Sequence, residues 1–319
     1  MSELASTTGV LLCARTAAEV DALLADAGTA ACGAAGTDPA AGAQAADAAL
    51  IAGGTDLLVQ RRAGRRIDTM VDLTNLTDSP QVLDELPGGV LRLSAVAPIA
   101  AVATVLGDRL PALRAAIAVF ASPQIRNRAT IGGNLGTASP SGDLMPPLIA
   151  AGATVRVRGA GRREVPIGEF LIGPRRTGLQ AGEWIEAVDV VDAGGAQGFR
   201  KIGGRRALAI SVVNLAWQWT IRPDGTLADV RLAVGAAAPT VRRCCRAEAT
   251  LEGGRPSREL ADRAAADLAA ELAPIDDLRG SAAYRRAAAG GLLTEALLAA
   301  EPLAVLNDES PTTPGKDHE

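Results

Sequence analysis

Between Ala209 and Ile221 the side chains alternate. Val213, Leu215, Trp217, Trp219 and Ile221 fall on one side, with Asn214, Gln218 and Thr220 on the other. A period of two held over this length suits a pleated strand, whose successive side chains point to opposite faces. The run stops at Arg222-Pro223-Asp224-Gly225, where proline presets φ and glycine accepts a positive φ. Ala228, Val230, Leu232 and Val234 then alternate again, so a β-hairpin is expected. From Val241 onward the chain reads as helix in three pieces, broken by Gly253-Gly254-Arg255-Pro256 and by Pro274 to Gly280. Strands followed by helices predict an α+β module with helices on one face of a sheet.

The first half is less regular. Thr16 to Ala27 has helical spacing, with Val20, Leu23 and Leu24 on one side and Thr16 placed to cap it. Gly28 to Ala48 is Ala/Gly-rich with little pattern and reads as an exposed insertion. Short strands are expected at Ala49–Ala52, Thr69–Leu73, Val90–Val96, Val155–Arg158 and Trp184–Val191. Helices near Pro98–Leu106 and Pro111–Ala121 each carry proline in the first turn. No regular βαβ alternation emerges.

Composition narrows the chemistry. At 319 residues the chain has room for two or three modules. Only 2% of residues are aromatic, so the cores must be aliphatic. A net charge of -4 argues against nucleic acid or an anionic membrane as partner. Cys13, Cys32, Cys244 and Cys245 show no C-x-x-C spacing, which favours plain thiols over an iron–sulfur or zinc site. No secretory signal and no apolar run of membrane-spanning length is visible, so a cytoplasmic location is expected. The sole histidine, His318, sits in a polar tail, 304–319, that reads as disordered. Without another histidine there is no Ser-His-Asp triad and no histidine-based metal centre. The chemistry must fall mainly to a cofactor.

Two glycine-studded loops point to where such a cofactor sits. Ile125 to Leu148 reads IRNRATIGGNLGTASPSGDLMPPL, and Ala52 to Leu58 reads AGGTDLL. Glycine removes the Cβ that blocks close approach, so both loops can aim backbone N–H groups at an anion. Two phosphate-sized loops suit a dinucleotide. Neither matches G-x-x-x-x-G-K-[ST] or G-x-G-x-x-G, which disfavours a P-loop and a nicotinamide-binding Rossmann domain. The plainer alternatives are a tight turn for AGGTDLL, a hairpin turn for TIGGN and a helix entry for Ser139 to Asp143.

In order along the chain, AGGTDLL, IRNRATIGGN, ASPSGDLMPP, FRKIGGRRALAIS, VRLAVGAAAPT and DDLRGSAAYRR resemble the FAD-binding medium subunit of the molybdenum hydroxylases. The group includes xanthine dehydrogenase and aerobic carbon monoxide dehydrogenase types. The resemblance runs from about Thr16 to Leu298 and implies an α+β fold. Residues 1–193 would form a two-subdomain FAD domain of the vanillyl-alcohol-oxidase-like (PCMH) type, divided near 76. Residues 194–303 would carry a three-stranded antiparallel sheet and a helical bundle.

The resemblance also implies roles. Ala52, Gly53, Gly54, Thr55, Asp56, Leu57 and Leu58 would wrap the FAD pyrophosphate, with Thr130, Ile131, Gly132, Gly133 and Asn134 doing the same from the other side. Thr137 would add a hydroxyl, Asp143 would accept from a ribose hydroxyl, and Ile185 would lie at the adenine end. Lys201 would approach the flavin's pyrimidine edge, a solvated strand lysine being the plainer reading. Phe120 is a candidate for packing at the ring. Arg126 and Arg128, like Arg205 and Arg206, would serve the phosphates, a subunit contact or surface ion pairs.

Molybdopterin and two [2Fe–2S] clusters would reside on a large and a small partner subunit, in a dimer of heterotrimers. Electrons would leave through FAD to NAD+ or another acceptor. A free-standing flavin reductase and a scaffold without cofactor are the alternatives. The Ala/Gly-rich segment is longer than is usual in the family, and the cysteine-rich insertion of the benzoyl-CoA reductase branch is missing.

Overall fold

The computed structural model describes residues 9–26, 48–205 and 208–300. The segment expected to be an insertion, the tail, Cys32, Arg206 and His318 fall outside the described residues, apart from Ala48. Three larger sheets and one two-stranded ribbon organise the described residues.

The first unit comprises β1 (Val10–Cys13), α1 (Ala17–Asp26), β2 (Ala48–Ile51), α2 (Leu57–Arg62) and β3 (Thr69–Asp72). Its three strands run parallel in the order β1-β3-β2. Thr16 Oγ1 accepts from the Glu19 N–H at 3.2 Å, so the threonine does start α1 as its position suggests. Val20 and Leu24 bury the helix against Val71 and Leu73.

The second unit begins with β4 (Leu83–Leu86) and β5 (Val90–Ser94). Five helices follow: α3 (Ile99–Leu106), α4 (Pro111–Val119), α5 (Pro123–Arg126), α6 (Ile131–Thr137) and α7 (Met145–Ala150). Then come β6 (Thr154–Arg158), β7 (Arg162–Pro166), α8 (Ile167–Phe170), β8 (Leu171–Gly173), β9 (Arg176–Thr177) and β10 (Trp184–Val191). The antiparallel sheet has the order β4-β5-β10-β6-β7, while β8 and β9 pair separately.

The third unit has β11 (Ala196–Gly203), β12 (Ser211–Ile221), β13 (Leu227–Gly235) and β14 (Arg242–Arg243), then α9 (Cys245–Leu251), α10 (Arg258–Glu271) and α11 (Ala282–Leu298). The expected hairpin is β12–β13, and the antiparallel sheet has three long strands with β14 as a two-residue edge. The sheet is covered on both faces, where a single helical face was expected. Val213, Leu215 and Trp219 pack with the three C-terminal helices. Phe199, Ala216 and Ala233 join the core of the second unit, with α4 against β11 and α7 against β12 and β13. Asn214 and Gln218, polar in the alternation, are therefore buried. Among the described residues no helix is long and apolar enough to cross a membrane.

Candidate functional site

β2 ends in the first glycine loop. Gly54 has φ +70°, a backbone region that side chains with a Cβ rarely adopt. The chain then turns into α2, whose Leu58 N–H bonds the Gly54 carbonyl at 3.1 Å. Gly53 is needed for another reason. A Cβ there would stand 1.9 Å from the carbonyl oxygen of Arg128, so the two glycine loops touch backbone to backbone.

The second loop is a helix start, not the hairpin turn that TIGGN also permits. Thr130 is extended (φ -121°, ψ 159°), and its Oγ1 accepts from the Gly133 N–H at 2.9 Å. This is an N-cap on α6, and the side chain satisfies an amide that has no partner within the helix. The Gly132 N–H bonds the Ala95 carbonyl at 2.9 Å, tying α6 to the end of β5.

Between the first and second units the two loops frame a cleft with a cavity of about 290 Å³. Ala52, Gly53, Gly54, Thr55, Asp56 and Leu57 line one wall. Thr130, Gly132, Gly133, Asn134 and Thr137 line the other. Phe120, Trp184, Ile185 and Leu179 give it an apolar floor. Trp184 is fixed by its Nε1–H donating to Asp21 at 2.9 Å and by the Arg158 guanidinium 6.0 Å from the ring centroid.

Polar chemistry in the cleft centres on Asp56. Its Oδ2 accepts from Thr137 Oγ1 at 3.0 Å and from Gln60 Nε2 at 2.5 Å. Gln60 Oε1 in turn accepts from Arg65 Nη1 at 2.8 Å. Among the described lining residues Asp56 is the single acid and Arg65 the single cation. The Asn134 Oδ1 is buried without a protein partner. Among the described residues no histidine or cysteine lines the cleft, and no group of side chains is arranged to hold a metal.

Four expected site residues lie off the cleft lining. Leu58 is 40% exposed, and the Ile131 side chain is buried in the core behind the loop. Asp143 and Lys201 meet each other instead. Lys201 Nζ donates to Asp143 Oδ2 at 2.7 Å and to the carbonyls of Val119 and Ala209, each at 3.1 Å. Asp143 Oδ1 accepts from Ser211 Oγ at 2.6 Å and from Asn214 Nδ2 at 3.1 Å. Lys201 is thus not the solvated strand lysine of the plainer reading. A carboxylate and an ammonium removed from water need each other's charge and full hydrogen bonding, which these partners supply. The pair adjoins the cleft through Val119, the neighbour of Phe120. Ser211 closes the FRKIGGRRALAIS motif without an assigned role, and nothing in the sequence marks Asn214; their place on β12 brings both to Asp143.

The arginines also have defined places. Arg126 Nη1 donates to the carbonyls of Phe120, at 2.6 Å, and Ala121, at 3.1 Å, bracing the turn that carries Phe120. Arg128 contributes the carbonyl that meets Gly53. Arg205 Nη2 donates to the Leu208 carbonyl at 2.6 Å.

Residues 35–190 match the family described as FAD binding domain in molybdopterin dehydrogenase, and residues 199–300 match the CO dehydrogenase flavoprotein C-terminal domain. The chain is 32% identical to the nicotine 6-hydroxylase medium subunit of Paenarthrobacter nicotinovorans, across 75% of this chain and 84% of that one. The chain belongs to the FAD-binding medium subunits of the molybdenum hydroxylases. It is likewise 31% identical to the xanthine dehydrogenase FAD-binding subunit of Escherichia coli O157:H7, across 75% and 83% of the two chains. Among solved structures, carbon monoxide dehydrogenase from Hydrogenophaga pseudoflava superposes with a TM-score of 0.80 at 28% identity, across 92% of this chain and 96% of that one. The relatives of this medium subunit are parts of oxidoreductases.

The cleft fits the cofactor of that family. The first glycine loop suits a diphosphate, while the Gly132, Gly133 and Asn134 N–H groups, expected to do the same, already bond the Ala95 carbonyl, Thr130 Oγ1 and the Thr130 carbonyl. The orphan Asn134 oxygen suits a polyol, and the apolar floor suits a fused ring. Nothing lies within 4 Å of where a Gly136 Cβ would stand on the lining, so the helix leaves open space there.

Proposed function

We propose that this medium subunit carries electrons between partner chains. In this reading the substrate is oxidised on a large molybdopterin subunit, and electrons cross two [2Fe–2S] clusters of a small subunit. They leave through the FAD of this chain to NAD+ or another acceptor. The observation that carries the reading is the meeting of two glycine loops from different units, Gly53 on Arg128 and Asp56 on Thr137, over a cleft with an apolar floor. FAD, when bound, supplies the change between two-electron and one-electron transfer. The chain itself would hold the diphosphate with loop amides at Gly53–Asp56, against the wall formed by Thr130–Asn134, and keep the ring against Phe120 and Ile185. Asp143 and Lys201 would border the cleft from the seam with the third unit.

The assembly that follows is a cytoplasmic dimer of heterotrimers. Residues 1–193 would act as the FAD domain, with 194–303 holding it from behind.

Co-expression with candidate large and small subunits tests this. The expected product is a three-chain complex with a flavin absorbance band. Loss of that band under gentle purification overturns the cofactor. A flavin-bearing chain that elutes alone overturns the partnership and favours a free-standing reductase.

A further inference from the structure

Resting on the flavin site proposed above, one residue of the cleft has a charge that the binding of phosphate does not ask for. Asp56 stands in the first glycine loop, where a carboxylate repels any phosphate. Its orientation is fixed from both sides: Thr137 of the facing helix and Gln60 of its own helix donate to the same oxygen. The carboxylate cannot turn away without giving up both bonds. Arg65 Nη1 donates to Oε1 of the same Gln60, so the two charges flank a neutral amide along the wall. They are the only charged groups among the described lining residues.

This spacing separates two kinds of phosphate. A diphosphate diester spreads its charge, about one per phosphorus. A terminal monoester gathers about two charges on one phosphorus above a second pKa of about 6. Repulsion from a nearby carboxylate grows with that local charge. We propose that Asp56 is a specificity-determining residue, by which the cleft rejects flavin ending in a phosphate monoester (FMN) and keeps the diphosphate-bridged dinucleotide (FAD).

The full chain, stripped of flavin, is titrated with FAD and with FMN, following quenching of flavin fluorescence. Asp56→Asn retains an oxygen for Thr137 and Gln60 and removes the charge. It should tighten FMN about tenfold while FAD changes less than about threefold. Wild-type chain should bind FMN more tightly at about pH 5.5 than at about pH 7.5, as the monoester takes up its second proton, and Asp56→Asn should flatten that dependence. Arg65→Gln provides an independent arm should Asp56→Asn not fold: it should weaken FMN more than FAD. Parallel shifts of both flavins in either variant overturn the assignment. Wild-type chain that binds no FAD overturns the flavin site itself, not the selectivity within it.

Discussion

The Lys201 ammonium donates to Asp143 Oδ2 at 2.7 Å, joining β11 of the third unit to the loop that precedes α7 of the second. The two side chains are only 11% and 8% exposed. All three donors of the ammonium are used, on Asp143 and on the carbonyls of Val119 and Ala209. The seam between two units is thus fastened by a fully satisfied buried charge pair.

Removing one partner should therefore be costly. Lys201→Met leaves the Asp143 carboxylate buried without its cation, and a loss of about 3–5 kcal/mol is expected. Adding Asp143→Asn should restore part of that loss, since no bare charge then remains. Denaturant unfolding of the two single variants and the double variant measures the coupling. Strictly additive losses would mean that the pair is not coupled.

Gly53→Ala should part the glycine loops, because its methyl would stand 1.9 Å from the Arg128 oxygen. Flavin content should fall several-fold while far-UV circular dichroism stays unchanged. Gly161→Ala is the control, as nothing lies within 4 Å of its added carbon. Equal flavin content in both variants would show that loop contact does not shape the site.

Thr130→Val keeps the volume and deletes the cap on α6. The Gly133 N–H then loses its acceptor, for an expected cost of about 1 kcal/mol. Flavin affinity should drop in step, since α6 forms one wall of the cleft. Thr130→Ser, which retains the acceptor oxygen, should rescue most of both effects. A serine variant as damaged as the valine one would rule out the cap.

Acid should loosen the cleft floor. Hydrogen bonds from the Arg163 guanidinium to both oxygens hold Glu183 below the ordinary carboxylate range, against an opposing push from burial. A folded pKa below the unfolded one means that the unfolded chain takes up the proton first as pH falls. The stability from this pair is then full above the unfolded value of about 4.3 and is lost as pH drops through the folded value. Wild-type chain should melt a few degrees above Glu183→Gln at neutral pH, and the gap should close in acid. Melting curves whose separation is the same at every pH would refute the linkage. Glu183 immediately precedes Trp184 and Ile185, so flavin release should follow the same titration.

Much of this architecture is legible in the residues themselves. The hairpin from Ser211 to Gly235 follows from its alternation and its Pro-Asp-Gly turn, both local signals. The glycine pair after β2 marks its turn for the same reason. TIGGN is less decisive, because two adjacent glycines suit a hairpin as well as a helix start. The choice falls to the Thr130 cap and to packing against Ala95. Burial of Asn214 and Gln218 is invisible in the alternation, because polar residues normally face water. Here the opposite face is claimed by α4 and α7. The pairing of Lys201 with Asp143 spans 58 positions and depends on the register of two strands, which no local pattern carries.

Burial of the third sheet on both faces has a consequence for how such a gene can be divided. A fragment ending before Ala196 would leave α4 and α7 with bare aliphatic flanks, a surface prone to sticking to its own kind. The complementary fragment would present Phe199, Ala216 and Ala233 to water. Cutting the gene there would trade one buried interface for two exposed ones.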